Sequence, residues 1–182
     1  MVSGRETGGS IGIRRYPVTQ QFTIAQLNAL AADDWRTSLT GVVGVPEWVE
    51  AVESVRPYVD REALLELAQG QVLALVPDQV RAALADHPRI GGSTAPGTQA
   101  AREQSGVDPA DAELATALRE GNLAYESKFG LIYLVCASGR TGHEMLADLT
   151  TRLDNDPDAE ILVTRRELAA IARKRLERMV TQ

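Results

Sequence analysis

The sequence predicts an all-α fold, a single compact domain of roughly eight helices. Two observations predict it. Apolar residues recur at helical spacing in successive runs, most of them bounded by capping residues or prolines. Only one stretch, residues 131–137 (LIYLVCA), reads as a buried strand; its period leaves strand and helix open, and one short strand makes no sheet. There is no internal repeat, and 182 residues can bury one good core but not two large ones.

Taken in order, residues 1–22 are expected to be a flexible N-terminal tail, since Gly, Ser, Thr, Arg and Gln mix there without period. The helical domain is expected over 23–182. Thr23-x-x-Gln26 is a capping-box pattern ahead of Leu27 and Leu30. Asp33 or Asp34 can start a second helix through Leu39. Pro46 suits the first position of a third, with Trp48, Val49, Val52 and Val55 as its apolar face. Asp60 caps a fourth, whose stripe is Leu64, Leu65, Leu67, Ala68 and Val72. Pro77 opens a fifth that ends at Asp86. A Gly/Ser/Thr/Pro loop (91–97) and a helical run at 98–105 follow. Asp108 with Pro109 behind it predicts the start of a long helix to Phe129, with Gly130 as its C-terminal cap. Another helix is expected from near Arg140 to Asn155. Thr164-x-x-Glu167 is a second capping-box pattern, predicting a last helix through Val180.

Composition narrows function. With 44% apolar and 24% charged residues the chain falls among soluble globular proteins, and a net charge of −6 argues against nucleic acid or an anionic membrane as partner. No apolar run approaches the roughly 18 residues of a membrane span. Residues 1–15 are Gly-rich and lack the apolar core of a signal peptide, so a cytoplasmic location is expected. Cys136 is the only cysteine, and His87 and His143 are far apart without HxH or HxxxH spacing. No metal site is expected.

Two places carry candidate chemistry. Pro88 pushes His87 out of helical geometry, so the imidazole sits at a helix end and can face a carboxylate such as Glu103 from the next helix. The plainer reading, favoured on spacing alone, is a surface histidine at a helix C-terminus. On the last helix, Leu168, Ile171, Ala172, Leu176 and Met179 fall in one arc at about 100° per residue, and Arg175 lies inside it. A guanidinium in an apolar stripe needs a partner. A structural role, as an internal salt bridge or a side chain snorkelling at the stripe's edge, and a clamp for a substrate carboxylate fit equally well. The remaining residues of note read as structural. Trp35, Trp48 and the Asn122, Tyr125, Phe129 face are expected in the core, Cys136 as a buried small hydrophobe, and His143 at the surface.

Several stretches together resemble one family. They are Leu84-Ala-Asp-His87-Pro88-Arg-Ile-Gly91, Glu103-Gln104-x-Gly-Val, Asn122-x-x-Tyr125-x-x-Lys128-Phe129-Gly130 and Ile171-Ala-x-x-Arg175-Leu, with Pro46-Glu-Trp48-Val and Arg56-Pro57 upstream. In this order and spacing the chain, over roughly 23–180, is similar to 2-oxo-4-hydroxy-4-carboxy-5-ureidoimidazoline (OHCU) decarboxylases. The resemblance implies an all-α homodimer without cofactor or metal that converts a ureidoimidazoline, OHCU, to (S)-allantoin and CO2 in urate degradation. It implies His87 as proton donor and Glu103 as its catalytic companion. Pro88, Ala100, Gln104 and Arg175 would bind substrate, as would the backbone of Tyr133, Leu134, Val135, Cys136 and Ala137. Two departures stand out. Ala100 occupies a position that is often Ser in the family, and Leu131-Ile132-Tyr133 replaces an aromatic-Pro-aromatic run. Ala100 motivates an alternative, a family member acting on a related ureido or hydantoin acid. A non-catalytic helical interaction module is the other alternative; finding His87, Glu103 and Arg175 on separate surfaces would support it.

Overall fold

The computed structural model describes residues 21–85, 87–92, 98, 102–107 and 110–181. Among these are eight α-helices: α1 (Ile24–Ala29), α2 (Ala32–Thr40), α3 (Pro46–Glu53), α4 (Arg61–Leu73), α5 (Pro77–Leu84), α6 (Ala112–Phe129), α7 (Gly142–Arg152) and α8 (Pro157–Met179). The all-α expectation holds. The spine is α8, whose 23 residues extend about 35 Å at 1.5 Å per residue. Leu168, Ala169, Ala172 and Leu176 are buried on it, and α4 packs along it with Leu64, Leu65, Ala68 and Val72. The helix α6 packs on α7, and α2 and α3 pack on each other, with α3 also on α4. Trp35 and Trp48 are core residues, and each indole N–H is used: Trp35 donates to Tyr58 Oη (3.1 Å) and Trp48 to the Ala68 carbonyl (3.0 Å).

Local signals set most boundaries. The Thr23–Gln26 capping box forms as expected. Asp60 accepts the Ala63 N–H, Pro46 and Pro77 open their helices, and Gly130 ends α6 at φ 63°, a left-handed position that favours glycine.

Other boundaries move. The start of α2 is Ala32, and Asp33 and Asp34 lie in its first turn rather than capping it. Val55 falls beyond α3 and is exposed. The helix α5 ends at Leu84, and Asp86 lies outside the described residues. Asp111 caps α6 through the Leu114 N–H; Asp108 and Pro109, read as the start, lie outside the described residues. The run placed near Arg140 begins at Gly142, after a Thr141–Glu144 capping box that the sequence reading passed over. The Thr164–Glu167 box does not start a helix. Asp156 accepts the Asp158 N–H and Pro157 opens α8, which runs unbroken past Thr164. Thr164 is fully buried on the interior face, and the Glu167 carboxylate is drawn across to another segment. Phe22, one residue before the boundary drawn at Thr23, is buried and makes an isolated parallel bridge to Val180.

Residues 131–137 are neither strand nor helix. Leu131, Tyr133, Leu134, Val135 and Ala137 are buried, as an apolar run should be, yet no neighbouring strand pairs with them among the described residues. Buried peptide groups need partners, and here charged side chains serve. Arg152 Nη1 donates to the Leu134 carbonyl (2.8 Å), and Glu167 Oε2 accepts the Cys136 N–H (2.7 Å).

Candidate active site

This unpaired segment forms one wall of a cleft of about 430 Å³ that opens to solvent. Leu134, Val135, Cys136, Ala137 and Ser138 line that wall. The 87–90 turn after α5 supplies His87, Pro88 and Ile90. Glu103 and Gln104 complete the cleft with Ile171, Lys174 and Arg178 of α8.

His87 reconciles its two readings. Its Nδ1 lies 2.7 Å from the Ala83 carbonyl, so the ring caps the C-terminal end of α5. A carbonyl there requires Nδ1 to carry its proton, which leaves Nε2 as the ring nitrogen able to exchange one. The residue also lines the cleft and is mostly buried, unlike the solvated surface histidine that spacing favoured.

The turn beneath His87 is heavily braced. Gln104 accepts the Gly91 N–H (3.0 Å) and donates to the Arg89 carbonyl (3.2 Å), while Asn122 donates to the Ile90 carbonyl (3.1 Å). Arg89 forks onto Glu126 (2.5 and 2.7 Å), and this hydrogen bond holds the Glu126 carboxyl below its ordinary range. Both ends of the Gln104 amide thus serve the turn. Its remaining amide hydrogen is what it has to offer a ligand. Asn122, read as core packing, has a second task in holding the site.

Arg175 does find a partner. Its Nε and Nη2 meet the two oxygens of Glu103 at 2.9 and 3.0 Å, and Nη1 donates to the Val42 carbonyl (2.9 Å). The internal salt bridge forms, and it involves a carboxylate that lines the cleft, so Arg175 stands directly behind Glu103. Among the described residues, the cations that line the cleft are Lys174, ion-paired to Glu177 at 2.9 Å, and Arg178, 3.8 Å from Glu103. Neither was among the residues that the sequence singled out. Their spacing of four, with Ile171 three residues before Lys174, was the available sign of a shared face.

The other sequence-derived positions divide. His87, Pro88, Glu103, Gln104, Leu134, Val135, Cys136 and Ala137 come together in the cleft. Tyr133 is fully buried behind the wall, its hydroxyl 2.7 Å from Asp148 Oδ2, and burial pushes its phenol well above the ordinary value. Ala100 lies outside the described residues. Burial pushes the Cys136 thiol up, so it is a neutral lining group rather than a nucleophile. His143 is exposed. His87, Glu103 and Arg175 do not lie on separate surfaces, so the observation that would have supported an interaction module is not made.

Sequence neglected the residues behind the wall. Arg152 and Glu160 form a buried ion pair (2.6 Å) that also takes in the Tyr125 hydroxyl and Asn155. Burial pushes the Tyr125 phenol up to about 12. Among the described residues no group of three or more His, Cys, Asp and Glu is placed to hold a metal ion. No helix among them is long and apolar enough to cross a membrane.

Comparison with known proteins gives the family. A family model described as OHCU decarboxylase matches residues 28–177. The chain is 26% identical over 157 residues to the uric acid degradation bifunctional protein TTL of Arabidopsis thaliana, covering 82% of this chain and 47% of that protein. Thus it spans about half the length of that relative. It is 25% identical over 163 residues to the 2-oxo-4-hydroxy-4-carboxy-5-ureidoimidazoline decarboxylase of Amia calva, covering 85% of this chain and 93% of that one. Its fold is similar to a crystal structure of OHCU decarboxylase in the presence of (S)-allantoin, with a TM-score of 0.66 and 28% identity over 79% of this chain and 94% of that one. The chain belongs to the OHCU decarboxylase family.

Proposed function

We propose that the chain decarboxylates OHCU to (S)-allantoin and CO2, without a cofactor, as a step of urate degradation. The observation that carries the reading is the convergence of His87, the Arg175-backed Glu103 and the 134–138 wall on one cleft. The chemistry asks little more. Breaking the bond to the carboxylate leaves an electron pair on the ring carbon, and the adjacent ring C=N accepts it. The enamine-like product must then gain a proton on one face. His87 Nε2 delivers it from its side of the cleft, and the product takes the (S) configuration. Glu103 accepts a substrate N–H and keeps the bound ring in register with His87. The substrate is an anion, and Arg178 and Lys174 offset the charge of Glu103 at the cleft surface. Peptide groups of the wall hold the ureido and ring amides, the kind of contact that rejects analogues lacking them. A homodimer in the cytoplasm belongs to the same reading and rests on the family alone.

The test generates OHCU in situ from urate with uricase and hydroxyisourate hydrolase and follows circular dichroism. Adding the protein is expected to accelerate the appearance of (S)-allantoin. A trace that matches the protein-free control overturns the reading. A related ureido or hydantoin acid turned over in its place would favour a changed substrate.

A further inference from the structure

The cleft wall has no strand beside it, yet its peptide groups must face the substrate in a fixed orientation. Glu167 meets this need. It sits on α8 one turn before Ile171, which lines the cleft, and its Oε2 accepts the Cys136 N–H at 2.7 Å. The Glu167 side chain is mostly buried, and its other oxygen is 3.5 Å from Arg140 Nη2. Arg152 holds the wall two residues earlier, at the Leu134 carbonyl. Between and beyond these two anchors, the N–H groups of Val135 and Ala137 have no acceptor among the described residues. Both residues line the cleft.

We propose that Glu167 is a positioning residue for the reaction: by gripping the Cys136 amide it fixes the peptide planes of the wall and so aims the neighbouring donors at the bound substrate. Glu167 touches no substrate, and the proposal rests on the decarboxylase reading for its activity readout. A carboxylate suits the task because a charged acceptor binds a backbone N–H more strongly than a neutral one. A misplacement of about 1 Å in a binding wall can cost on the order of 100-fold in rate.

The test separates the grip on Cys136 from the ion pair with Arg140. Glu167→Gln keeps an oxygen for the Cys136 N–H but loses the charge, Glu167→Ala loses both, and Arg140→Gln removes the ion pair, along with the 3.7 Å contact of Arg140 to Asp148, while leaving the grip on Cys136. The expected result is a loss of kcat/KM of roughly 10- to 100-fold for Glu167→Ala, mostly in KM, with Gln at 167 restoring most of it and Arg140→Gln near wild type. Amide hydrogen exchange over residues 131–137 reads the same grip without turnover, and it should speed up in the Ala variant and much less in the Gln variant. Far-UV circular dichroism checks that each variant is folded. If Gln and Ala at 167 behave alike, or if neither moves exchange in the wall, the positioning role is wrong. Should the wild type show no decarboxylation, the function reading fails, while the exchange result still decides the role of Glu167.

Discussion

At the scale of single residues, His87 and Arg175 do different work and should fail differently. His87 is assigned to proton delivery, and its Nδ1 is tied to the Ala83 carbonyl. Asparagine can keep a donor near that carbonyl but cannot exchange a proton from the far side. His87→Asn is therefore expected to lower kcat by roughly 10²- to 10⁴-fold with little change in KM. Residual product should drift toward racemic allantoin, because water reaches either face. Wild-type kcat with pure (S)-allantoin would end the assignment. Arg175 acts through Glu103, which it grips with two parallel bonds. Lysine keeps the charge and loses the fork. A lost charge-assisted bond is worth about 1.5–3 kcal/mol, so Arg175→Lys should cost roughly 10- to 100-fold in kcat/KM. The loss should fall on kcat and KM together, since Glu103 is freed to turn; a change in KM alone would favour direct anion capture. That Arg175 needs a partner was legible in the apolar arc around it. Which partner was not, because Glu103 is 72 residues away in sequence and local spacing says nothing about such pairs. Lys174 and Arg178 were missed for the same reason.

At the scale of elements, the turn after α5 and the 131–137 wall are shaped by side chains from elsewhere. Arg89 and Glu126 give the turn a pH response. The Arg89 hydrogen bond lowers the Glu126 carboxyl. A group depressed in the folded state contributes its stability above its ordinary value, about 4.3 for glutamate, and loses it as pH falls through the lower folded value. Hydrogen exchange in residues 87–92, corrected for intrinsic rates, should therefore stay slow down to about pH 4 and rise below it. Glu126→Gln should show the faster exchange at neutral pH; an unchanged profile in that variant would exclude the brace. Legibility at this scale follows the range of the interactions. Thr23, Pro46, Asp60, Pro77 and Gly130 were readable because each acts within one helical turn. The Thr164–Glu167 pattern misled because both side chains are claimed by tertiary partners inside a helix that had already begun. The wall was readable as buried from its apolar content, but its partners Arg152 and Glu167 lie 18 and 31 residues from the groups they hold. No strand or helix period encodes that arrangement.

At the scale of the whole molecule, the buried Arg152–Glu160 pair joins α7, α8, the Tyr125 hydroxyl of α6 and the wall. Removing one member leaves the other charge buried without its main partner, which typically costs about 3–5 kcal/mol. For a chain of this size about 1 kcal/mol moves Tm by roughly 2–4 °C, so Glu160→Ala should lower Tm by roughly 6–20 °C in a thermal melt followed at 222 nm. A shift below about 2 °C would mean that the network is dispensable. The all-α architecture was legible from the density of capped apolar runs, whereas this network was not, since nothing local marks a glutamate as fully buried.

The Phe22–Val180 bridge has a mechanical consequence. Phe22 N–H bonds to the Met179 carbonyl (2.8 Å) and Thr181 N–H to the Phe22 carbonyl (2.9 Å), while Arg61 holds the Val180 carbonyl (2.7 Å). Because the two short segments run parallel, a force drawing the chain outward beyond both of them slides one past the other instead of peeling them apart. These bonds are loaded together rather than one at a time, so the clasp bears tension in shear and shields the α4–α8 spine behind it from a tug on either flank.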